Sequence, residues 1–306
     1  MLNFRQLRTV SVVPQTLDPS HAFLVLAHSD PAMFARLCEF LGQIGPVFVH
    51  IDAKVDPSPF KRAYPQATYL TTPVKVYWGH WTMVEATCSL MEAALANPTV
   101  QRLTLVSGSH YPLWSPRELS SLAKNAGDVI ATRRSPNQPD GSRPESEYER
   151  RFVPLFRPFS LGFRLANALV NRIWYLGRPL DWRAVTPDTG MRAGSTWWSL
   201  ERGSASAIVT RLRAGGPLID YFKKIVCVDE KVFATLYAQL HPEPLADGTT
   251  FAKWDGGAHP TPLTRDDIAV VRQESNFWFA RKFSSSNTEL LDWLDQEIAH
   301  PPHSPS

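Results

Sequence analysis

HAFLVLAHSDPAMFARLCEFLGQIGPVFVHI, residues 21–51, decides the fold. Ala22 to Ala27 is a short apolar run of strand formers, as expected of a parallel strand buried on both faces, and His28 stands at its carboxyl end. Asp30-Pro31 supplies a helix cap with proline at the first helical position. Phe34, Leu37, Cys38, Leu41 and Ile44 recur at helical spacing until Gly42 and Gly45 stop the helix, and Val47 to Ile51 reads as a second buried strand. The stretch is one βαβ unit.

The pattern repeats outward from it. Val74 to Tyr77 reads as a strand. Thr82-x-x-Glu85 reads as a capping box opening a helix with Val84, Cys88, Met91 and Leu95 on one face. Asn97-Pro98 ends that helix, Leu103 to Val106 is another strand, Ser115-Pro116-x-Glu118 another capping box, and Asp128 to Ala131 another short strand. Strands alternating with helices predict an α/β fold, a mostly parallel sheet flanked by helices. Farther on, Gly194 to Leu200 and Val226 to Val228 have strand composition, Ser204 to Leu212 is helical, and Phe233, Leu236, Tyr237 and Leu240 mark a helix face. Asn276 to Phe283 ends the organised core, and a last helix runs from Thr288 to Ile298. Residues 1–20 read as a loose leader, 21–299 as a single domain and 300–306 as a loose tail.

Residues 132–192 break the pattern. They hold eleven arginines and no lysine against six acids, in a chain of net charge +3. Broken by proline and both basic and aromatic, they read as an irregular insertion over the sheet. Two readings stay open: a subdomain with its own small apolar cluster, or a surface that lies on anionic lipid or grips an anionic acceptor, through residues 152–183.

Composition narrows the function. A charge of +3 from 32 basic and 29 acidic residues is too small for the electrostatic footprint of a nucleic-acid binder. Cys38, Cys88 and Cys227 show no C-x-x-C spacing, which predicts neither disulfide framework nor zinc site and points to a reducing, cytoplasmic setting. No run of about 18 apolar residues predicts a membrane span. Peripheral contact at the inner face of the membrane is the remaining membrane reading. G-x-G-x-x-G after a strand, G-x-x-x-x-G-K-[ST], G-x-S-x-G and H-E-x-x-H are all missing, so hydride transfer, P-loop chemistry, α/β-hydrolase chemistry and zinc proteolysis lose their usual supports.

What remains are polar residues at strand ends, where open α/β sheets place ligands: His28, His50 with Asp52, Ser107 to His110, and Asp229 with Glu230. Asp229-Glu230 sits between an apolar run and a helix, where free N–H groups and the helix dipole favour a carboxylate able to accept a proton. Either acid could instead simply cap that helix. Arg281-Lys282 follows the apolar FWFA run; on a strand one of the pair could face a cleft while the other is solvated, a plain solvated face being the first reading. The chain has no D-x-D triplet, since Asp52-Ala53-Lys54 lacks the second acid. A nucleotide diphosphate here would have to be neutralised by Arg or Lys, with no metal expected.

Seven segments occur together and in order: FLVLAHSDP (23–31), FVHIDAK (48–54), VYWGHWTMVEAT (76–87), LVSGSHYPL (105–113), GSTWWSL (194–200), VDEKVFATL (228–236) and FARKF (279–283). With them the chain resembles the core-2/I-branching enzyme family, glycosyltransferase family 14, whose relatives include β-1,6-N-acetylglucosaminyltransferases and peptide O-xylosyltransferases. The resemblance implies a GT-A-type fold and an inverting, metal-independent transfer of a sugar, GlcNAc first and xylose next, from UDP to a hydroxyl of a glycan or glycoconjugate. By the same resemblance Glu230 corresponds to the catalytic base, Lys282 to the cation that stabilises departing UDP, and Asp52 and His28 to residues lining the nucleotide pocket.

Two departures qualify it. His110 stands where the family usually has an acid, which alters contacts to the donor sugar or acceptor around Ser107 and Gly108. A second diphosphate-binding arginine has no clear equal; His259 lies near its place, and Arg281 could compensate. Trp78, Trp197, Trp198 and Trp254 are offered as sugar-stacking faces, with core packing the first reading for the Trp197-Trp198 pair and an equal one for Trp254. A non-catalytic glycan-binding or membrane-surface scaffold is the rival from another class.

Overall fold

The computed structural model describes residues 16–136, 144–152, 169, 179–245, 248–256 and 260–299. A five-stranded sheet lies at its centre, in the order β3 (Thr68–Tyr69), β2 (Val47–Ile51), β1 (His21–Ala27), β4 (Arg102–Ser107) and β8 (Ser199–Glu201). The pairs among β1, β2, β3 and β4 are parallel, and β8 runs antiparallel to β4. Successive strand residues point to opposite faces, and both faces are covered. Ala22, Leu24 and Leu26 enter one apolar cluster with Leu103, Leu105 and Trp198. Phe23, Val25 and Ala27 enter the other with Val47, Val49 and Val106. Every residue of β1 is buried, which is why it reads as a continuous apolar run.

Helix α1 (Pro31–Ile44) begins where Asp30 accepts the Met33 N–H, and it buries Phe34, Leu37, Cys38, Leu41 and Ile44 as predicted. The helix α2 (Ser58–Ala63) is short. Helix α3 (Trp81–Leu95) is capped by His80, whose ring accepts the Thr82 N–H, so the expected Thr82–Glu85 box is replaced by a histidine cap two residues earlier. At α4 (Pro116–Asn125) the Ser115–Glu118 box forms as read: Glu118 Oε2 accepts the Ser115 N–H at 2.9 Å and Ser115 Oγ accepts the Glu118 N–H at 3.3 Å. Ser115→Ala is therefore expected to cost about 1 kcal/mol of stability, read by denaturant unfolding.

Three expected strands do not form. At Val74 to Tyr77 the N–H groups of Val74 and Val76 go to His50 Nε2 (2.8 Å) and Asp52 Oδ1 (3.3 Å), so side chains take the donors a ladder would need. Asp128 to Ala131 is reduced to a single antiparallel bridge between Val129 and Ser199. At Val226 to Val228 the backbone of Cys227 turns left-handed (φ 49°) and leads into a 3₁₀ turn, Val228–Glu230. Gly194 to Leu200 is strand only at its end, in β8.

A second sheet joins β5 (Tyr111–Pro112), β10 (Phe279–Arg281) and β9 (Thr250–Ala252), with Phe279 opposite Pro112 and Arg281 opposite Ala252. Within the 132–192 segment, β6 (Arg133–Arg134) pairs with β7 (Arg192–Ala193), and α5 (Ser146–Glu149) buries Tyr148 completely in the main apolar cluster. The remaining helices are α6 (Arg202–Ala214), α7 (Pro217–Phe222), α8 (Val232–Leu240), α9 (Arg265–Glu274) and α10 (Thr288–Ala299). Residues 17 and 18, read as leader, are tied down: their N–H groups donate to the carbonyls of Gln43 and Ile44. Most of 152–183, with the proposed lipid contact, and the 1–15 and 300–306 ends lie outside the described residues. Among the described residues no helix is long and apolar enough to cross a membrane.

Candidate active site

The carboxyl ends of β1, β2 and β4 carry His28, Asp52 and Ser107 to His110. Asp52 is buried and engaged: its N–H donates to the Ala27 carbonyl at 2.9 Å, and its Oδ1 accepts the Lys54 N–H at 3.0 Å. Its Oδ2 pairs with the Lys54 ammonium at 3.2 Å, and that ammonium lies 4.7 Å from the centre of the Tyr77 ring. In sequence Lys54 marks only the missing second acid of a D-x-D; in the structure it is the partner of Asp52, a pairing that the i,i+2 Asp–Lys spacing signals. His28 reaches solvent, yet the protein around it holds its pKa below 6.5, burial first, with Lys282, Lys54 and Arg281 adding to the effect and Asp52 opposing it. These effects favour its neutral form.

The VYWG stretch crosses from this end toward the two acids. Gly79 (φ 68°) is buried, and a Cβ there would sit 3.2 Å from both Cys227 N and the Val226 side chain, a contact that keeps the loop against the turn bearing Asp229 and Glu230. Trp78, beside it, is 68% exposed. In the turn, Asp229 is buried and accepts the Thr196 hydroxyl at 2.7 Å. Glu230 is half-buried; its N–H donates to the Cys227 carbonyl at 3.3 Å and its carbonyl accepts the Gly194 N–H at 2.8 Å. Any side chain at Gly194 would fall on the Ala131 carbonyl, so glycine is what lets this segment run alongside Glu230.

Arg281 and Lys282 come from the end of β10, and the peptide between them is cis. Arg281 turns inward, its guanidinium carbon 5.1 Å from the centre of the Trp197 ring and within electrostatic reach of Asp229, His28 and His110. Lys282 is exposed. The backbone around it is fixed twice: the Phe283 N–H donates to the Ser109 carbonyl at 2.9 Å, and the Ser285 N–H donates to Asp30 Oδ2 at 2.8 Å. These bonds hold the loop beside the start of α1 and the end of β4, facing His28.

Other predicted residues turn out to be internal. Trp198 is fully buried and packs on Phe233 at 5.6 Å, which corrects its reading as a sugar face. Trp197 is 7% exposed and offers its ring to Arg281 and to the edge of His110 at 4.5 Å. His110 is fully buried, its Nδ1 accepting the Ser107 N–H at 3.0 Å; burial and then the Arg281 charge hold its pKa well below the usual value. It therefore acts as neutral packing beneath the site, and cannot replace an acid in touching a ligand. Gly108 is buried against Ala27 and Phe34. Trp254 is 57% exposed, two residues past the strand that pairs with β10. His259 lies outside the described residues.

Among the described residues no group of three or more His, Cys, Asp or Glu side chains is placed to hold a metal ion. A cleft of about 710 Å³ lies elsewhere, between α1, the start of α4 and α10, and borders none of these residues.

The solved structures similar to the chain include 4-diphosphocytidyl-2C-methyl-D-erythritol synthase, at 12% identity and a TM-score of 0.36, with 83% of this chain and 98% of that one covered. They also include the 4-diphosphocytidyl-2C-methyl-D-erythritol synthase of Anaerococcus prevotii, at 11% identity and 0.37, covering 84% and 98%. Likeness at that level carries no argument about function. No curated protein matches the chain in sequence. The family model described as "Branch: Core-2/I-Branching enzyme" matches residues 21–275, stopping just short of the FARKF segment. That match spans most of the molecule and includes every strand-end segment up to the VDE turn, so the chain belongs to the core-2/I-branching enzyme family and is a glycosyltransferase acting on glycans.

Proposed function

We propose that the chain transfers a sugar from a UDP-sugar to a hydroxyl of a glycan or glycoconjugate, with inversion and without a metal, N-acetylglucosamine being the sugar favoured and xylose the alternative. The observation that carries this reading is that Arg281 lies over Trp197, whose neighbour Thr196 bonds Asp229 at 2.7 Å, next to Glu230, while Lys282 follows Arg281 on the side of His28.

Glu230 takes the proton of the acceptor hydroxyl as its oxygen attacks the anomeric carbon. The bond from that carbon to UDP breaks, its electron pair leaves on the diphosphate, and Lys282, backed by Arg281, stabilises the charge that appears there. A single displacement inverts the anomeric centre. Asp52, held by Lys54 and the Val76 N–H, shapes the nucleotide end with neutral His28 beside it. Exposed Trp78 and Trp254 offer flat faces to sugar rings at the rim. The absence of D-x-D in the sequence supports the metal-free part of the reading.

A UDP-release screen of UDP-GlcNAc, UDP-xylose, UDP-glucose and UDP-galactose, with and without EDTA, tests it. UDP-GlcNAc is expected to turn over fastest and to be unaffected by EDTA. Activity lost to EDTA and restored by a divalent ion would sink the metal-free mechanism; fastest turnover of UDP-xylose would select the alternative donor. Failure to bind UDP at all would favour the non-catalytic scaffold.

A further inference from the structure

Lys231 follows the two acids directly, and the reaction above leaves it unused. Its side chain is 0% exposed. Removing an ammonium from water costs several kcal/mol unless it is paired, and among the described residues that of Lys231 donates to three acceptors. They are Glu147 Oε2 at 3.0 Å, the Val226 carbonyl at 3.0 Å and the Cys227 carbonyl at 3.3 Å. The Tyr148 ring lies 5.4 Å from the ammonium.

Two of those acceptors are the carbonyls by which the chain enters the turn carrying Asp229 and Glu230. The Cys227 carbonyl also accepts the Glu230 N–H, so the ammonium and the Glu230 backbone share one oxygen. Cys227 is left-handed (φ 49°, ψ 44°), a conformation a residue with a side chain keeps only where its surroundings over-determine it. The third acceptor, Glu147, belongs to α5 in the arginine-rich 132–192 segment, so the clamp joins that segment to the turn.

We propose that Lys231, anchored by Glu147, is a positioning residue that fixes the Val226 to Glu230 turn and thereby the aim of the Glu230 carboxylate. The inference rests on Glu230 acting as the base. An ion pair that only stabilised the fold would change the folded fraction and leave the turnover of folded protein alone. A positioning clamp lowers turnover in folded protein while UDP affinity stays the same, because the cations proposed to meet the diphosphate sit at the end of β10 and just after it.

The test compares the full chain with Lys231→Met, Glu147→Gln and Glu230→Gln, using thermal unfolding for the folded fraction and calorimetry with UDP for affinity. Turnover is read as UDP release from UDP-GlcNAc, and hydrogen exchange is followed at the Glu230 amide. Lys231→Met is expected to bind UDP as the parent does, to release UDP about 10- to 100-fold more slowly, as displacements of about 1 Å at a reacting group do, and to exchange the Glu230 amide faster. Glu147→Gln, which keeps an acceptor oxygen, is expected to show the same split to a smaller extent. Parental turnover in folded Lys231→Met, UDP affinity falling by the same factor as turnover, or unchanged exchange at Glu230 would each overturn the proposal. If Lys231→Met does not fold, Glu147→Gln decides on the same criteria. Parental turnover in Glu230→Gln would remove the base itself, and the amide exchange would then still report whether Lys231 holds the turn.

Discussion

Glu230→Gln is expected to bind UDP like the parent and to transfer sugar about 100 to 10,000 times more slowly, the usual range for losing a general base. The amide has the shape of the carboxylate, and the turn that carries it is fixed by backbone bonds to Cys227 and Gly194, which the substitution leaves in place. What disappears is the ability to take the acceptor proton. Calorimetry with UDP and a transfer assay on the same preparation separate the two properties. Parental activity in this variant would take Glu230 out of the reaction.

Lys282→Ala is expected to weaken UDP about 10- to 100-fold, because a hydrogen bond to a charged group contributes about 1.5–3 kcal/mol. Uridine, which lacks the diphosphate, should bind both proteins equally. The side chain is exposed, so folding should be unaffected, while the backbone bonds of Phe283 and Ser285 keep the loop in place. Equal UDP affinity in parent and variant would count against the assignment. The family match ends at residue 275, so this experiment bears on a segment that only its motif connects to the rest.

The central fold was legible because its signals are local. The alternation of β1 with α1 and β2, the proline at the start of α1 and the Ser115–Glu118 box each declare themselves within a few residues. The Val74 to Tyr77 strand was misread because its donors are claimed by His50 and Asp52, and composition does not register such competition. The Asp229-Glu230 pair was found, but as the end of a strand. Beside its turn Lys231 meets Glu147, 84 residues away, and no periodicity encodes that pairing. Trp197 and Trp198 read alike in sequence; the second packs on Phe233 and the first lies beside the guanidinium of Arg281, a neighbour from the far end of the chain that no local pattern announces.

The pairing of β10 with β5 has a consequence for biosynthesis. A ribosome delivers the amino end first, so His28, Asp52 and Glu230 emerge while the strand holding Arg281 and Lys282 is still untranslated. The apolar cluster on one face of the parallel sheet is completed only when Phe279, Phe283 and the last helix emerge to cover Phe23 and Val25. A product terminated before Phe279 lacks Phe283, Leu291 and Leu294 of that cluster as well as Arg281 and Lys282, and is expected to be inactive.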